Sequence, residues 1–202
     1  MLNHLRGLMT KVMTPIAARL LRWRITPDAV TITGTVAVVL AALTLFPTGH
    51  LLAGSIVIAV FVLTDSLDGT MARLSGRSSS WGAFLDSTLD RFADAAIFSG
   101  LVLWFVGRGD DKLSAGLALA CLVLGSIVPY ARARAEGLGM TAAVGIAERA
   151  DRLFLVLLAT ALVGSGLPAA VLTITLAVLA AASFVTIVQR MVTVRRQVEA
   201  AA

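Results

Sequence analysis

Long apolar runs separated by short polar breaks fill almost the whole chain. Their spacing predicts six membrane-crossing helices, near residues 29–46, 51–73, 81–106, 113–135, 150–166 and 168–190. A bilayer core takes about 20 apolar residues as helix, and the runs are close to that length. The fifth is short for a crossing and has room to extend backward. Ahead of them the pattern changes. Leu2, Leu5, Met9, Val12, Met13, Ile16 and Leu20 recur at spacings of mostly three and four, with Lys11, Arg19 and Arg22 between them. That period describes a helix lying along a membrane surface. The expected architecture is an all-α integral membrane protein, with an amphipathic juxtamembrane helix over 1–22 and a six-helix transmembrane domain over 23–202.

Composition agrees with that pattern. The 202 residues are 58% hydrophobic and 14% charged, where a soluble domain carries roughly 25% charged residues. Six crossings put both termini on one side, and the basic residues decide which. Arg6, Lys11, Arg19, Arg22 and Arg24 precede the first run, and Arg73 and Arg77 follow the second. Arg132, Arg134, Arg149 and Arg152 surround the fourth break, and Arg190, Arg195 and Arg196 close the chain. The opposite breaks, PTGH, RGDDK and GSGLP, hold only Arg108 and Lys112 as basic residues. The positive-inside rule then makes the termini and the break after the second run cytoplasmic, with the cell membrane as the expected location. The net charge of +5 is accounted for by this topology. No basic stretch is interleaved with aromatics, so no nucleic-acid partner is expected. His4, Arg6 and Lys11 interrupt the first apolar residues, so no secretory signal is expected there. Cys121, the single cysteine, reads as a small buried residue in an apolar run.

Four carboxylates break the pattern in the middle of the chain. Asp65 and Asp68 close the second run, and Asp86 and Asp90 open the third. Measured inward at the helical rise, Asp68 and Asp86 lie roughly 7 Å from their loop ends, and Asp65 and Asp90 roughly 12 to 13 Å. An antiparallel pair of helices would bring the four together in two layers, each pair on one helical face. Four like charges at that depth require compensation. Pairing with Arg73, Arg77 and Arg91 accounts for one or two of them, not four. Hard oxygen donors suit Mg²⁺ or Mn²⁺, and four carboxylates suffice for two ions with water and substrate completing the shells. Asp94 continues the 86–90–94 face without a counterpart on the second run, which leaves structural pairing and metal ligation both open. Gly69 and Gly82 permit close approach of a bulky anion, and Arg73 offers a fork of donors to phosphate. Together these features point to phosphoryl transfer involving a lipid.

The residues DSLDGTMAR (65–73), eight further residues, and GAFLDSTLD (82–90) fill every fixed position of D-x2-D-G-x2-A-R-x8-G-x3-D-x3-D. This resembles the signature of the CDP-alcohol phosphatidyltransferases. The resemblance implies that CDP-diacylglycerol sets its diphosphate on two metal ions held by Asp65, Asp68, Asp86 and Asp90. It also makes Asp90 the general base for the acceptor hydroxyl, with CMP as the leaving group. Gly69, Arg73 and Ser79 would hold the nucleotide, and Asp28 and Thr31 of TPDAVT (26–31) would add contacts on the cytidine side. Homodimerisation is a further family expectation. Ion transport, which also uses intramembrane carboxylates, does not require the glycine and Ala-Arg spacing.

The acceptor has to be read elsewhere. YARARAE (130–136), ERADRL (148–153) and Gln189-Arg190 are similar to the branch of the family that uses inositol 1-phosphate. There, residues matching Arg132, Arg152 and Arg190 form the pocket for the acceptor's phosphate, although lysine is common at the position of Arg132. Arginine suits that task, and a neutral alcohol would not need it. Glycerol 3-phosphate is the competing acceptor.

Overall fold

In the computed structural model the described residues are 13–76 and 79–201, without the side chains of 63–66 and 201. The first half of the amphipathic segment, His4, Arg77 and the side chain of Asp65 therefore lie outside the described residues. Seven helices and no strand occur among the described residues. Helix α1 covers 13–22. It is followed by α2 (Pro27–Leu45), α3 (Leu51–Leu74), α4 (Ser80–Val106), α5 (Lys112–Glu136), α6 (Arg149–Gly164) and α7 (Ala170–Ala201).

Among the described residues, four helices are long and apolar enough to cross a membrane: α2, α3, α5 and α7. Charge interrupts α4, which carries Asp86, Asp90, Arg91 and Asp94. Helix α6 has 16 residues, about 24 Å of rise, against a hydrocarbon core of about 30 Å. Helix α7 has 32 residues and continues past the predicted end at 190 through Arg195 and Arg196. Large apolar side chains such as Val36, Leu40, Val60, Leu103, Val123 and Ile174 are exposed on these helices. Such surface is stable under a lipid covering, and this is a membrane protein.

The chain divides into two compact units. Of the described residues, one comprises those up to Ala41 and those within Ile56–Ala93, the other Ala42–Ser55 and those from Asp94 onward. In the first unit Ala17 of α1 is buried with Leu67 and Met71 of α3, and Leu20, Leu21, Ile25 and Val30 pack against them. The second unit buries Phe46, Ile97, Phe98, Leu101 and Phe105, and α5 and α6 both pack on α7. Two glycines are demanded by that packing. A Cβ on Gly100 would stand 2.3 Å from the carbonyl oxygen of Ala42, and one on Gly164 would stand 2.3 Å from the amide nitrogen of Leu52.

Asp111 caps α5, accepting hydrogen bonds from the Ser114 amide at 3.1 Å and its hydroxyl at 2.5 Å. Those bonds hold its carboxyl below the usual carboxylate range. At the other end α5 stops at Gly137. The chain from there to Glu148 is non-helical, so α6 does not extend backward. The reason is local. Gly145 sits at φ +143, packed so tightly on Thr186 that a Cβ would meet its Cγ2 at 2.3 Å. The Thr186 hydroxyl also accepts from the amides of Ile146 (3.2 Å) and Ala147 (3.1 Å). This segment is a strap bonded to α7.

Candidate active site

In the first unit a cavity of about 260 Å³ is lined by Asp28 and Thr31 of α2, Asp68, Gly69 and Arg73 of α3, and Ser79, Gly82 and Asp86. The ends of three helices thus bring two of the four expected metal-binding carboxylates, Asp68 and Asp86, to one concavity with all five expected nucleotide contacts, a third carboxylate, Asp28, among them. Asp68 is buried, and both of its oxygens are oriented. Oδ2 accepts from the Thr31 hydroxyl at 2.5 Å, and Oδ1 from the Gly69 amide at 2.5 Å. A carboxylate oxygen has two lone pairs, so each keeps capacity for a second partner. Ser79 accepts from the Gly82 amide at 3.0 Å, at the start of α4. Arg73 donates to the Thr70 hydroxyl at 3.1 Å, which keeps its guanidinium along α3.

Neither site glycine is required by the protein's own packing. A Cβ on Gly69 would meet only the Arg73 guanidinium, at 3.7 Å, and one on Gly82 only the Ser79 hydroxyl, at 3.5 Å. Both are ordinary contacts. Asp90 does not line this cavity; it lies 3.7 Å from the guanidinium of Arg91. No group of three or more His, Cys, Asp or Glu side chains able to cage a metal ion occurs among the described residues. Asp68, oriented on both oxygens, and Asp86 lining the same cavity still fit a hard divalent cation. Mg²⁺ is commonly bound by one or two carboxylates together with substrate phosphates rather than by an all-protein cage.

The second unit holds the arginines expected to bind the acceptor. Arg152 is 2% exposed and Arg190 7%. Arg190 donates from Nε to the Val144 carbonyl at 2.9 Å and from Nη1 to the Val128 carbonyl, joining the strap to α5. Arg152 donates to the carbonyls of Ala147 and Gly125, each at 3.3 Å. Arg132 is half-exposed and bonds Glu136, one turn along α5, at 2.8 Å. It is close enough for its charge to act on Arg190. Asp94 forms ion pairs with Arg149 at 3.0 Å and with Arg152 at 3.8 Å. Of the two roles left open for Asp94, the structure shows the pairing.

A sequence profile for CDP-alcohol phosphatidyltransferase matches residues 24–180, more than three-quarters of the chain. The chain belongs to that family. Among its relatives, the phosphatidylinositol phosphate synthase of Cutibacterium acnes is 50% identical, over 98% of this chain and 100% of its own. The Streptomyces avermitilis protein of the same name is 47% identical, over 98% of this chain and 84% of its own. The crystal structure of the Mycobacterium tuberculosis phosphatidylinositol phosphate synthase with CDP-DAG bound matches with a TM-score of 0.88 at 44% identity, covering 91% of this chain and 94% of that one. A second structure of that protein, in complex with manganese and citrate, matches with a TM-score of 0.87.

Two features of this phosphatidyltransferase escaped the sequence reading. The indole of Trp81 donates to Asp28 Oδ2 at 3.2 Å, and its ring lies 5.9 Å from that of Phe84. A tryptophan in the first turn of α4 carries no signal of so distant a partner, 53 residues away. The second feature was legible. Pro129 lies inside α5, and a helical proline leaves the carbonyl four residues earlier without its amide donor. That carbonyl is Gly125, the one that Arg152 bonds.

Proposed function

We propose that this protein transfers the phosphatidyl group of CDP-diacylglycerol to inositol 1-phosphate, giving phosphatidylinositol phosphate and CMP. The observation that carries this reading is the cavity where Asp68, Asp86, Gly69 and Arg73 of an intact family signature meet Asp28, Thr31, Ser79 and Gly82. The relatives named for inositol phosphate transfer, 44% to 50% identical along nearly the whole chain, support the acceptor.

Asp65, Asp68, Asp86 and Asp90 would hold two divalent cations, Mg²⁺ with Mn²⁺ as a substitute. Bound there, the ions supply positive charge to the diphosphate and to the departing phosphate. Thr31 and the Gly69 amide keep the Asp68 carboxylate turned to its task. Asp28, Thr31, Gly69, Arg73 and Ser79 bind the cytidine diphosphate portion. Asp90 takes the proton from the acceptor hydroxyl, and that oxygen bonds to the phosphorus bearing diacylglycerol. The bond from this phosphorus to the oxygen bridging to CMP breaks, its electron pair leaves with CMP, and Arg73 faces the charge left behind. Arg132, Arg152 and Arg190 take the acceptor's phosphate.

The same reading places six crossings in the cell membrane, with α4 and α6 joining the four long apolar helices. Residues 1–22 form the juxtamembrane helix and 23–202 the catalytic domain, with the active site and both termini cytoplasmic and the protein a homodimer. Purified protein given CDP-diacylglycerol and Mg²⁺ is tested against inositol 1-phosphate, inositol and glycerol 3-phosphate. CMP release fastest with inositol 1-phosphate is the expected result. Preference for glycerol 3-phosphate would move the protein to phosphatidylglycerophosphate synthesis, and preference for free inositol would remove the phosphate pocket.

A further inference from the structure

Arg152 is held by groups that no account of phosphate binding requires. One is the Gly125 carbonyl, which accepts from Nη2 at 3.3 Å. In an uninterrupted helix it would be bonded by the amide of residue 129, but that residue is Pro129, which has no N–H. The proline thus leaves an acceptor inside α5, and Arg152 of α6 supplies the donor. On its other side stands Asp94 of α4, 3.8 Å from the same Nη2 and 3.0 Å from Nε of Arg149. The Ala147 carbonyl accepts from Nη1 at 3.3 Å. A long side chain with four rotatable bonds is thereby fixed from three directions while buried.

We infer that Asp94 and Pro129 are positioning residues for the acceptor's phosphate: together they fix the orientation of the Arg152 fork before the acceptor arrives. The inference rests on the proposed use of a phosphorylated acceptor. Pre-set donors lose less freedom on binding than mobile ones, so the benefit falls on acceptor affinity. Asp94 acts as the shared counter-ion that sets Arg149 and Arg152 relative to each other. Pro129 acts by what it withholds, since an amide at 129 would take the Gly125 carbonyl back into the helix.

The two positions make opposite demands on stability, and this separates positioning from a structural role. Pro129→Ala restores a helical hydrogen bond and removes a poor helix residue, so its thermal midpoint should rise. Its KM for inositol 1-phosphate should nevertheless increase about three- to tenfold, as expected for weakening a charge-assisted contact. Asp94→Asn should lower the midpoint and raise the same KM about tenfold or more, with Asp94→Glu recovering part of it. In all three variants the KM for CDP-diacylglycerol and the Mg²⁺ concentration for half-activity should stay at wild-type values. A more stable Pro129→Ala protein with an unchanged acceptor KM overturns the inference, even where Asp94→Asn fails to fold. A raised Mg²⁺ requirement in Asp94→Asn overturns it in favour of metal ligation. A wild-type enzyme that uses glycerol 3-phosphate instead defeats the inositol reading alone, and the KM shifts are then read with that acceptor. One that uses only unphosphorylated alcohols defeats both.

Discussion

The two units use the same kinds of residue to opposite ends. In the second unit, two glycines and two arginines answer to the chain itself. Gly100 and Gly164 exist because a Cβ would strike backbone at 2.3 Å, and the guanidinium groups of Arg152 and Arg190 are seated on carbonyl oxygens. In the first unit the site glycines answer to no packing demand of the chain. Gly69 and Gly82 have ordinary space beside them, and Asp68 and Asp86 open on a cavity. Packing explains a residue whose neighbours require it. Where the neighbours do not, the requirement comes from a ligand, which under the proposed function is the diphosphate of CDP-diacylglycerol and its cations.

The strongest way to break this contrast is to remove charge from the cavity. Asp68→Asn and Asp86→Asn should each bring transfer to background while the protein stays folded and membrane-inserted; Asp68→Asn puts at risk only the bonds from the Thr31 hydroxyl and the Gly69 amide. Chelation should do the same to the unaltered protein. Activity surviving excess chelator would end the metal reading. Asp90→Asn should keep CDP-diacylglycerol binding and lose about 10²- to 10⁴-fold in rate, the usual contribution of a general base. A rate within a few-fold of wild type would assign that role elsewhere.

A glycine exchange tests the contrast directly. Gly100→Ala and Gly164→Ala insert a methyl group against backbone and should destabilise by about 1–3 kcal/mol or more. Gly69→Ala should leave the midpoint unchanged or slightly raised, since alanine is favoured over glycine in a helix by about 1 kcal/mol. Its activity should fall sharply. If Gly69→Ala were fully active, or Gly100→Ala fully stable, the division between the units would not hold.

Arg190 should show both behaviours at once. Arg190→Ala removes donors from the Val144 and Val128 carbonyls, so the midpoint should fall. Loss of a charge-assisted contact to the acceptor, worth roughly 1.5–3 kcal/mol, should reduce kcat/KM for inositol 1-phosphate about ten- to a hundredfold. Lower stability with an unchanged acceptor KM would leave Arg190 as a strap fastener only.

Local signals were readable in advance, and distant ones were not. Apolar run length located all six long helices to within a few residues at most ends, because each helix in lipid must satisfy its own backbone. The exception was α7, predicted to stop near 190 and found to reach Ala201. Its last turns carry Arg195, Arg196 and Glu199, and nothing in a hydropathy pattern marks a helix that continues past its apolar run. The aspartate and glycine signature was legible because its spacing is set by helical turns. The carbonyl partners of Arg152 and Arg190 were not, since a backbone oxygen has no residue identity. Only Pro129 betrayed one of them.

The smallest expected effect concerns the rim of the cavity. Trp81 donates to Asp28 at 3.2 Å, and both belong to the first unit, where polar groups otherwise turn toward the cavity. The indole is well exposed, so water competes for the bond and its net worth is about 0.5–1.5 kcal/mol. Trp81→Phe keeps an aromatic ring beside Phe84 and deletes only the N–H. The KM for CDP-diacylglycerol should rise about two- to tenfold, the equivalent of that energy, with kcat and the acceptor KM unaltered. An equal loss in Asp28→Asn, and no further loss in the double variant, would show that the indole acts through the Asp28 carboxylate. Additive losses would mean that Trp81 touches the nucleotide itself, and the first unit would then hold one polar contact more than its cavity lining records.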